Sequence, residues 1–347
     1  MASQYFIGVD LHQSVVQVCV LDAKGDVVVE RRFLGDGLED GLRVVGFILG
    51  YSRCRVAVEA IGMNRWFVDA LKKRDCDVVV VDPLKLNLKA SGKKTDRRDA
   101  YEIARRLHLG DIDRNAKTYY PTDEEYGLRK LTRVRRTFVD IRQQLVNNIR
   151  AILRAFRVPQ PKSPLYFKKS LKALREVTDL SKSLAFCLRH LIDQLEHTQN
   201  AIAEFTKRIK AEAEASAEVA ALMETLPQVG AQTALTIVAE LGDVKRFRGV
   251  RAVASYAGIV PRVMNSADIA HHGAITKRGN RELRWVLAEW AVRLLSNEKI
   301  VQAWAVPRLR RMHRNKVRTA LARRLLVGVY ITMRRGEVFS LTRCLAA

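Results

Sequence analysis

In the first third of the chain, short runs of β-branched residues alternate with segments of helical period. Apolar runs at 5–9 and 56–58 each end in an acid. Two further strand-like runs, at 14–22 and 27–33, lie between them and are joined by the turn sequence DAKGD. A helical period near 64–73, an apolar strand at 78–81 and a helix that begins near residue 95 follow. The pattern predicts three antiparallel strands followed by alternating helices and parallel strands.

Four carboxylates fall at the ends of these predicted elements. Asp10 and Glu59 end two strands, the position at which open α/β sheets bind ligands. Asp96 and Asp99 are three residues apart, so a helix places them on one face. Carboxylate oxygens suit Mg²⁺ or Mn²⁺, and two such ions can hold the attacking and leaving oxygens of a phosphoryl displacement. The layout predicts an RNase H-like domain with the metal site of a nuclease or recombinase.

The middle of the chain predicts a coiled-coil hairpin. Three-four spacing of apolar residues runs along 131–152 and again along 188–209, with three prolines between the two stretches. In the first stretch the apolar positions are Val134, Phe138, Ile141, Leu145 and Ile152. The same stretch is rich in arginine and poor in acids, and includes Arg133 and Arg136. We interpret these arginines as contacts to nucleic acid or an assembly partner, with a solvated helix face as the alternative.

The last third of the chain, from residue 219, predicts helices and basic loops. Residues 226–234 (LPQVGAQTA) precede an apolar helix and resemble a helix-hairpin-helix, in which backbone amides after Gly230 would bind phosphate. Ser266 lies in a predicted loop ahead of three cations that can neutralise a phosphodiester: Lys277, Arg278 and Arg281. An arginine-dense run that includes Arg314 predicts further phosphate contacts.

The charge of the chain implies a polyanionic partner. The 347 residues contain 61 lysines and arginines against 37 acids, a net charge of +24, and no low-complexity tail accounts for the excess. Lys93 and Lys94, beside the acid pair, are further candidate phosphate contacts. A membrane is disfavoured because no apolar stretch approaches the roughly 18 residues of a spanning helix, and the amino terminus has no signal-peptide pattern. Five scattered cysteines indicate a reduced, cytoplasmic protein.

Together these segments resemble one known family. The four acids, the 226–234 hairpin, the segments YAGIVPR (256–262) and ITKRGN (275–280) and the closing helix at 318–330 occur in the order typical of the insertion-sequence-110 family. These are the DEDD transposases, whose relatives include the pilin-inversion recombinase Piv. The resemblance covers nearly the whole chain, which makes it far more specific than any single motif.

The resemblance implies roles for the matching residues. The metal-binding tetrad of a RuvC-like domain would be Asp10, Glu59, Asp96 and Asp99, with Mg²⁺ as cofactor and Mn²⁺ as its substitute. Ser266 would be the nucleophile that joins DNA through a covalent phosphoserine. Relatives commonly have Ser-Gly there, whereas this chain has Ala267, and alanine restricts the backbone. Ser255 is therefore the reserve candidate, although its apolar helical run makes a core hydroxyl the simpler account.

The resemblance also implies partners. Members act on donor and target double-stranded DNA, and they use a structured non-coding RNA from the element to pair with both. A dimer or tetramer is expected, because recombination joins two duplexes and needs paired active sites.

The leading functional hypothesis is a DNA transposase or recombinase of an insertion sequence, guided by such an RNA. The alternative is a structure-selective endonuclease of the Holliday-junction-resolvase type, in which metal-activated water attacks. Only the first forms a covalent protein–DNA adduct. An inactive nucleic-acid-binding relic is the non-enzyme hypothesis, and the presence of all four acids argues against it.

The expected fold class is α/β plus α, in three parts. We expect a RuvC-like, mixed-sheet domain over residues 1–120 and a coiled-coil arm over 121–218. A helical transposase domain with the helix-hairpin-helix-like motif would complete the chain over 219–347.

Overall fold

The computed structural model describes residues 5–86, 95–178, 180–266 and 269–346, with the backbone alone described over 262–266 and 269–274. Lys93, Lys94 and Ala267 therefore lie outside the described residues. The chain divides into two compact units, Met1–Tyr120 and Pro121–Ala347.

The first unit is built on a five-stranded mixed sheet. Its strands are β1 (Tyr5–Leu11), β2 (Val15–Leu21), β3 (Val27–Leu34), β4 (Cys54–Glu59) and β5 (Asp77–Val81). Their order in the sheet is β3-β2-β1-β4-β5; β1 to β3 pair antiparallel, whereas β4 pairs parallel with both β1 and β5. The helices are α1 (Leu38–Leu49), α2 (Arg65–Lys72), α3 (Pro83–Leu86) and α4 (Asp96–His108), with a π-helical segment at Ile112–Ala116. The predicted RNase H-like layout is confirmed.

Both faces of the central strand β1 are covered. On one face, Ile7 and Val9 share a buried cluster with Ile48 of α1 and Phe67 of α2. On the other, Gly8 lies so close to α4 that a Cβ atom at this position would overlap the backbone of that helix. Strands buried on both faces read as continuous apolar runs, which explains why the sequence of β1 lacks polar alternation.

Two long helices and one short helix form the arm of the second unit: α5 (Asp123–Ala155), α6 (Lys168–Arg175) and α7 (Lys182–Ala215). The rings of Phe138 and Phe205 lie 5.6 Å apart, and Arg142 donates to Gln199 at 3.0 Å. Sequence numbers rise on α5 as they fall on α7, so the helices are antiparallel. The predicted coiled-coil hairpin is confirmed.

The predicted seam of this hairpin is wrong at two positions. Val134 and Ile141 are each 37% exposed. The residues that directly follow them, Arg135 and Arg142, face α7 instead. Arg135 donates to Thr206 at 2.9 Å, and the guanidinium of Arg142 lies 4.2 Å from the centre of the Tyr166 ring. Both columns keep heptad spacing, and the long aliphatic stems of arginine pack as apolar surface while the head groups bind polar partners.

In the described residues, the rest of the second unit is helical apart from a β-hairpin. Its helices are α8 (Ala217–Thr225), α9 (Ala231–Leu241), α10 (Val250–Tyr256), α11 (Arg281–Asn297), α12 (Lys299–Leu309), α13 (Arg314–Arg335) and α14 (Leu341–Ala346). A 3₁₀ turn covers Val244–Arg246. They surround a core in which Trp290 is fully buried. Helices α8 and α9 form the helix-hairpin-helix-like motif that the sequence predicts.

The hairpin consists of β6 (Pro261–Ser266) and β7 (Ile269–Ile275). The sequence predicts a loop for Ser266, and this is wrong. Ser266 ends β6, while His271 and His272 lie in β7 opposite Met264 and Val263. The polar segment has no alternating apolar face, so the backbone pairing of the two strands leaves no local sequence signal.

No helix in the described part of the chain is long and apolar enough to cross a membrane.

Candidate metal centre and active site

Two of the four candidate acids stand side by side at one edge of the sheet. Val9 of β1 lies opposite Val58 of β4 in parallel register, and Asp10 and Glu59 directly follow this pair. Asp10 is only 4% exposed, and Glu59 is half-buried. The parallel register of two strands that both end in an acid therefore brings these carboxylates to the same edge.

The amino terminus of α4 supplies the other two acids. Thr95 caps the helix, and its hydroxyl accepts from the amide of Arg98 at 3.4 Å. Asp96 and Asp99 lie in the first turn, where the helix dipole favours negative charge. Asp99 is buried, whereas the side chain of Asp96 is 46% exposed. The close packing of α4 on Gly8 sets this turn beside the end of β1.

His12 joins the cluster, although the sequence analysis assigned it no role. Its Nε2 atom is 3.3 Å from Oδ2 of Asp10 and 3.7 Å from Oδ1 of Asp96. Each of the three residues offers one ligand atom, and these atoms all lie within 4.8 Å of one another. The sequence could have indicated this role, because His12 comes two residues after Asp10, and residues two apart at the end of a strand share a face.

The environment of Asp10 disfavours an isolated negative charge. Burial raises the pKa of its carboxyl group, and the charges of Asp96 and Asp99 raise it further, against an opposing effect from His12. Oδ2 of Asp10 is buried and makes no hydrogen bond within the described part of the chain. Nε2 of His12 lies 3.3 Å from it. An unpartnered buried carboxylate oxygen is costly, and a cation would offset that cost. Carboxylates with one imidazole therefore fit a divalent metal.

The candidate nucleophiles differ in their structural settings. The backbone places Ser266 opposite Ile269, at the turn end of the β6–β7 hairpin. Ser255 lies in α10 as expected, but its side chain is exposed, so its interpretation as a core hydroxyl is wrong. The reason is its position on the face of α10 opposite Val253 and Ala254, which are fully buried.

The predicted phosphate contacts fall into two groups. Arg133 and Arg136 have partners within the second unit: Arg133 binds both carboxylate oxygens of Glu240, and Arg136 lies over the ring of Trp285 at 3.8 Å. The others are exposed side chains: Lys277, Arg278, Arg281 and Arg314.

The backbone adds two details to this candidate interface. Gly230 is the residue before α9, and no described atom lies within 4 Å of the position that its Cβ would take. Lys277 has a φ of 53°, in the left-handed region, and so makes a sharp turn in the chain after β7. The contribution of all these residues to nucleic-acid binding stays a prediction.

The sheet order and the acid cluster define a metal-dependent enzyme domain of the RNase H-like class. A family model for DEDD transposases of the IS110 type, described as a transposase, matches residues 7–157. A second model, described as transposase IS116/IS110/IS902 family, matches residues 220–305. The chain belongs to the IS110 family of DEDD transposases, and it is a DNA transposase or recombinase.

Individual transposases are similar over most of the chain, and a pilin gene-inverting protein is similar over less than half of it. The transposase for insertion sequence element IS1111A of Coxiella burnetii is 26% identical over 340 residues, which cover 96% of this chain and 90% of that protein. The probable family 20 transposase of Pseudomonas aeruginosa is 27% identical over 325 residues, covering 91% and 93%. The pilin gene-inverting protein of Moraxella bovis is 27% identical over 153 residues, covering 42% and 48%.

Proposed function

We propose that this transposase cleaves and exchanges DNA strands with Mg²⁺ held by Asp10, Glu59, Asp96 and Asp99, and that Mn²⁺ can replace it. The observation that carries the proposal is the buried Oδ2 of Asp10, which has no hydrogen-bond partner in the described residues and lies beside Asp96 and His12. Such a site is built for a cation. Bound there, a divalent ion would neutralise the phosphate at the scissile bond.

In this proposal the hydroxyl of Ser266 is the nucleophile. Its oxygen forms a bond to phosphorus while the bond from phosphorus to one DNA oxygen breaks, so a phosphoserine ester replaces the phosphodiester. Strand exchange then needs no external energy, because a new DNA hydroxyl can attack the ester and release the serine. The exposed cations that follow the hairpin support this role by offering charge to the phosphate: Lys277, Arg278 and Arg281.

The first experiment looks for the adduct. A duplex that carries the joined ends of the insertion sequence, labelled at both ends of each strand, is incubated with Mg²⁺ and protein that keeps its co-purified RNA. The products are separated on a denaturing gel. We expect the wild-type protein to carry the label as a covalent adduct and Ser266→Ala to form no adduct. Ser255→Ala is a matched change at an exposed serine and should still form it. Cleavage without an adduct would instead favour the resolvase-like endonuclease. An adduct that persists in Ser266→Ala would move the nucleophile elsewhere.

The metal site is tested with the acids. We expect Asp10→Ala or Glu59→Ala to abolish strand exchange while DNA affinity, measured by filter binding, stays near that of the wild type. The substitutions remove ligands from the cluster, whereas affinity depends on the basic surface. Full exchange by either variant would contradict the metal-site assignment.

The proposed function includes a structured guide RNA and a dimer or tetramer. The net charge of +24 supports polyanionic partners, and an RNA is one. Protein purified with its bound nucleic acid is treated with RNase or DNase, and the protected material is sequenced. One discrete RNA encoded beside the gene supports the guide. Heterogeneous DNA alone would contradict it.

A further inference from the structure

A buried carboxylate in the second unit lies far in sequence from the acids of the metal centre. Glu240, near the end of α9, is 0% exposed. Nε and one terminal nitrogen of Arg133 donate to its two oxygens at 2.7 Å each, and Nδ2 of Asn280 donates to Oε2 at 2.6 Å. Its backbone carbonyl accepts from the hydroxyl of Tyr256 at 2.9 Å. One residue therefore joins α5, α9, α10 and the start of α11: its side chain contacts Arg133 and Asn280, and its backbone carbonyl contacts Tyr256.

Asn280 also closes the base of the hairpin that carries Ser266. Its amide donates to the carbonyl of Tyr256 at 2.6 Å, and the amide of Thr276 donates to the carbonyl of Val260 at 2.9 Å. Gly279, at a φ of 128°, lies so close to the same Tyr256 carbonyl that no side chain would fit. The chain entering the hairpin and the chain leaving it are thus held together at Asn280.

Stability alone is a weak explanation for this arrangement. Glu240 is fully buried, whereas the side chain of Arg133 is 45% exposed. Burying a carboxylate costs desolvation free energy, and well-packed apolar residues of similar volume often replace a buried ion pair without loss of stability. A bidentate arginine–carboxylate pair adds geometric specificity instead, because the planar guanidinium fits the carboxylate in one orientation. The hydrogen bonds that Arg133 donates to Glu240 raise the pKa of the Arg133 guanidinium, so Arg133 stays charged.

We propose that Arg133, Glu240 and Asn280 form a positioning relay that fixes the Ser266 hairpin relative to helix α5 of the arm. Nucleic acid bound along α5 then sets the place of the serine at the scissile phosphate. This inference rests on the proposed function of Ser266. The three residues are positioning residues, since they act through the hairpin rather than on the phosphate.

The sharpest single variant is Asn280→Ser. Asn280 also caps α11, and its Oδ1 accepts from the amide of Leu283 at 2.9 Å. Serine caps a helix about as well as asparagine, but its side chain is too short to reach Glu240. The variant therefore keeps the helix cap and cuts the relay.

The second variant is the double change Arg133→Met/Glu240→Met. It removes the charges of Arg133 and Glu240 together and keeps apolar volume at both positions. The buried Arg129, whose Nε lies 4.0 Å from Oε2 of Glu240, keeps its hydrogen bonds to the backbone carbonyls of Ala239 and Glu240. The matched control is Arg175→Met, because Arg175 makes a similar pair of ion contacts, to Asp193 and Glu196, that hold α6 to α7.

The readouts are the single-turnover rate of Ser266 adduct formation at saturating labelled duplex, the affinity for that duplex and the thermal midpoint. We expect both relay variants to form the adduct roughly a hundredfold more slowly, which is the order of loss that a 1 Å misplacement of a reacting group causes. Duplex affinity should stay near that of the wild type in Asn280→Ser, and the thermal midpoint should stay near it in both relay variants. In the double variant the affinity is expected to fall, because Arg133 is itself a predicted phosphate contact, and the saturating duplex keeps this loss out of the measured rate. Arg175→Met should match the wild type in all three measurements.

Two results would overturn the relay and leave the proposed function standing. One is that the wild-type chain forms the Ser266 adduct and both relay variants form it at the same rate. The other is a rate that falls only as far as the folded fraction falls, since this indicates a structural role alone. Failure of the wild-type chain to form a Ser266 adduct would overturn the relay and the proposed function together.

Discussion

Gly8→Ala tests how closely the metal centre depends on one backbone contact. A Cβ atom at residue 8 would overlap the carbonyl oxygen of Ala100 and the amide nitrogen of Ala104, and it would lie 3.0 Å from Cα of Ala104. Because favourable contacts of this kind lie at about 3.5 Å or more, α4 must move from β1 by roughly 1 Å. Helix backbone cannot rotate away as a side chain can, so we expect a cost of about 3 kcal/mol, the upper part of the range for overpacking.

Hydrogen–deuterium exchange followed by mass spectrometry can measure this cost locally, without assuming that the whole chain unfolds in one step. A loss of about 3 kcal/mol corresponds to roughly a hundredfold faster exchange in peptides from β1 and α4, since each 1.4 kcal/mol is tenfold. The same movement separates Asp10 from Asp96, so Mn²⁺ affinity measured by calorimetry should also fall.

Gly46→Ala is the matched control. Gly46 lies inside α1, and no described atom is within 4 Å of the position of its Cβ. Alanine there should stabilise α1 by about 0.5–1 kcal/mol and leave Mn²⁺ affinity unchanged. Exchange in β1 and α4 that is equally slow in Gly8→Ala and wild type would refute the reasoning, because it would mean that the helix accommodates the methyl group.

Three further predictions concern single side chains. His12→Ala should weaken Mn²⁺ binding at least tenfold by calorimetry, because Nε2 is part of the cluster; unchanged affinity would remove His12 from the site. Trp290→Ala should lower the free energy of unfolding, measured in urea, by about 3–5 kcal/mol. The reason is that the ring is fully buried and its N–H donates to the Pro227 carbonyl at 2.9 Å. A loss below about 1 kcal/mol would contradict this. Thr95→Ala should speed exchange in the first turn of α4 by about fivefold to tenfold through loss of a cap worth about 1 kcal/mol, and equal exchange would show that the cap is dispensable.

Much of the first unit follows from local pattern. The five strands and the helix after Thr95 appear where apolar runs and a capping residue indicate them, because strand burial and helix capping depend on near neighbours in sequence. The spacing of Asp96 and Asp99 is likewise a local property of a helix. The β6–β7 hairpin could not be predicted in this way, since its residues carry no alternation.

The candidate site, too, follows partly from local sequence and partly from tertiary packing. The sequence by itself determined which acids end the strands of the first unit, the helical pairing of the arm and the basic charge of the whole chain, because periodicity and charge need no knowledge of the partner surface. Only the tertiary structure decided that His12 joins Asp10 and that Arg133 meets Glu240, 107 residues away. The reason is physical: which buried polar groups become neighbours depends on the faces that pack together, and a buried charge then retains the partner that packing brings to it.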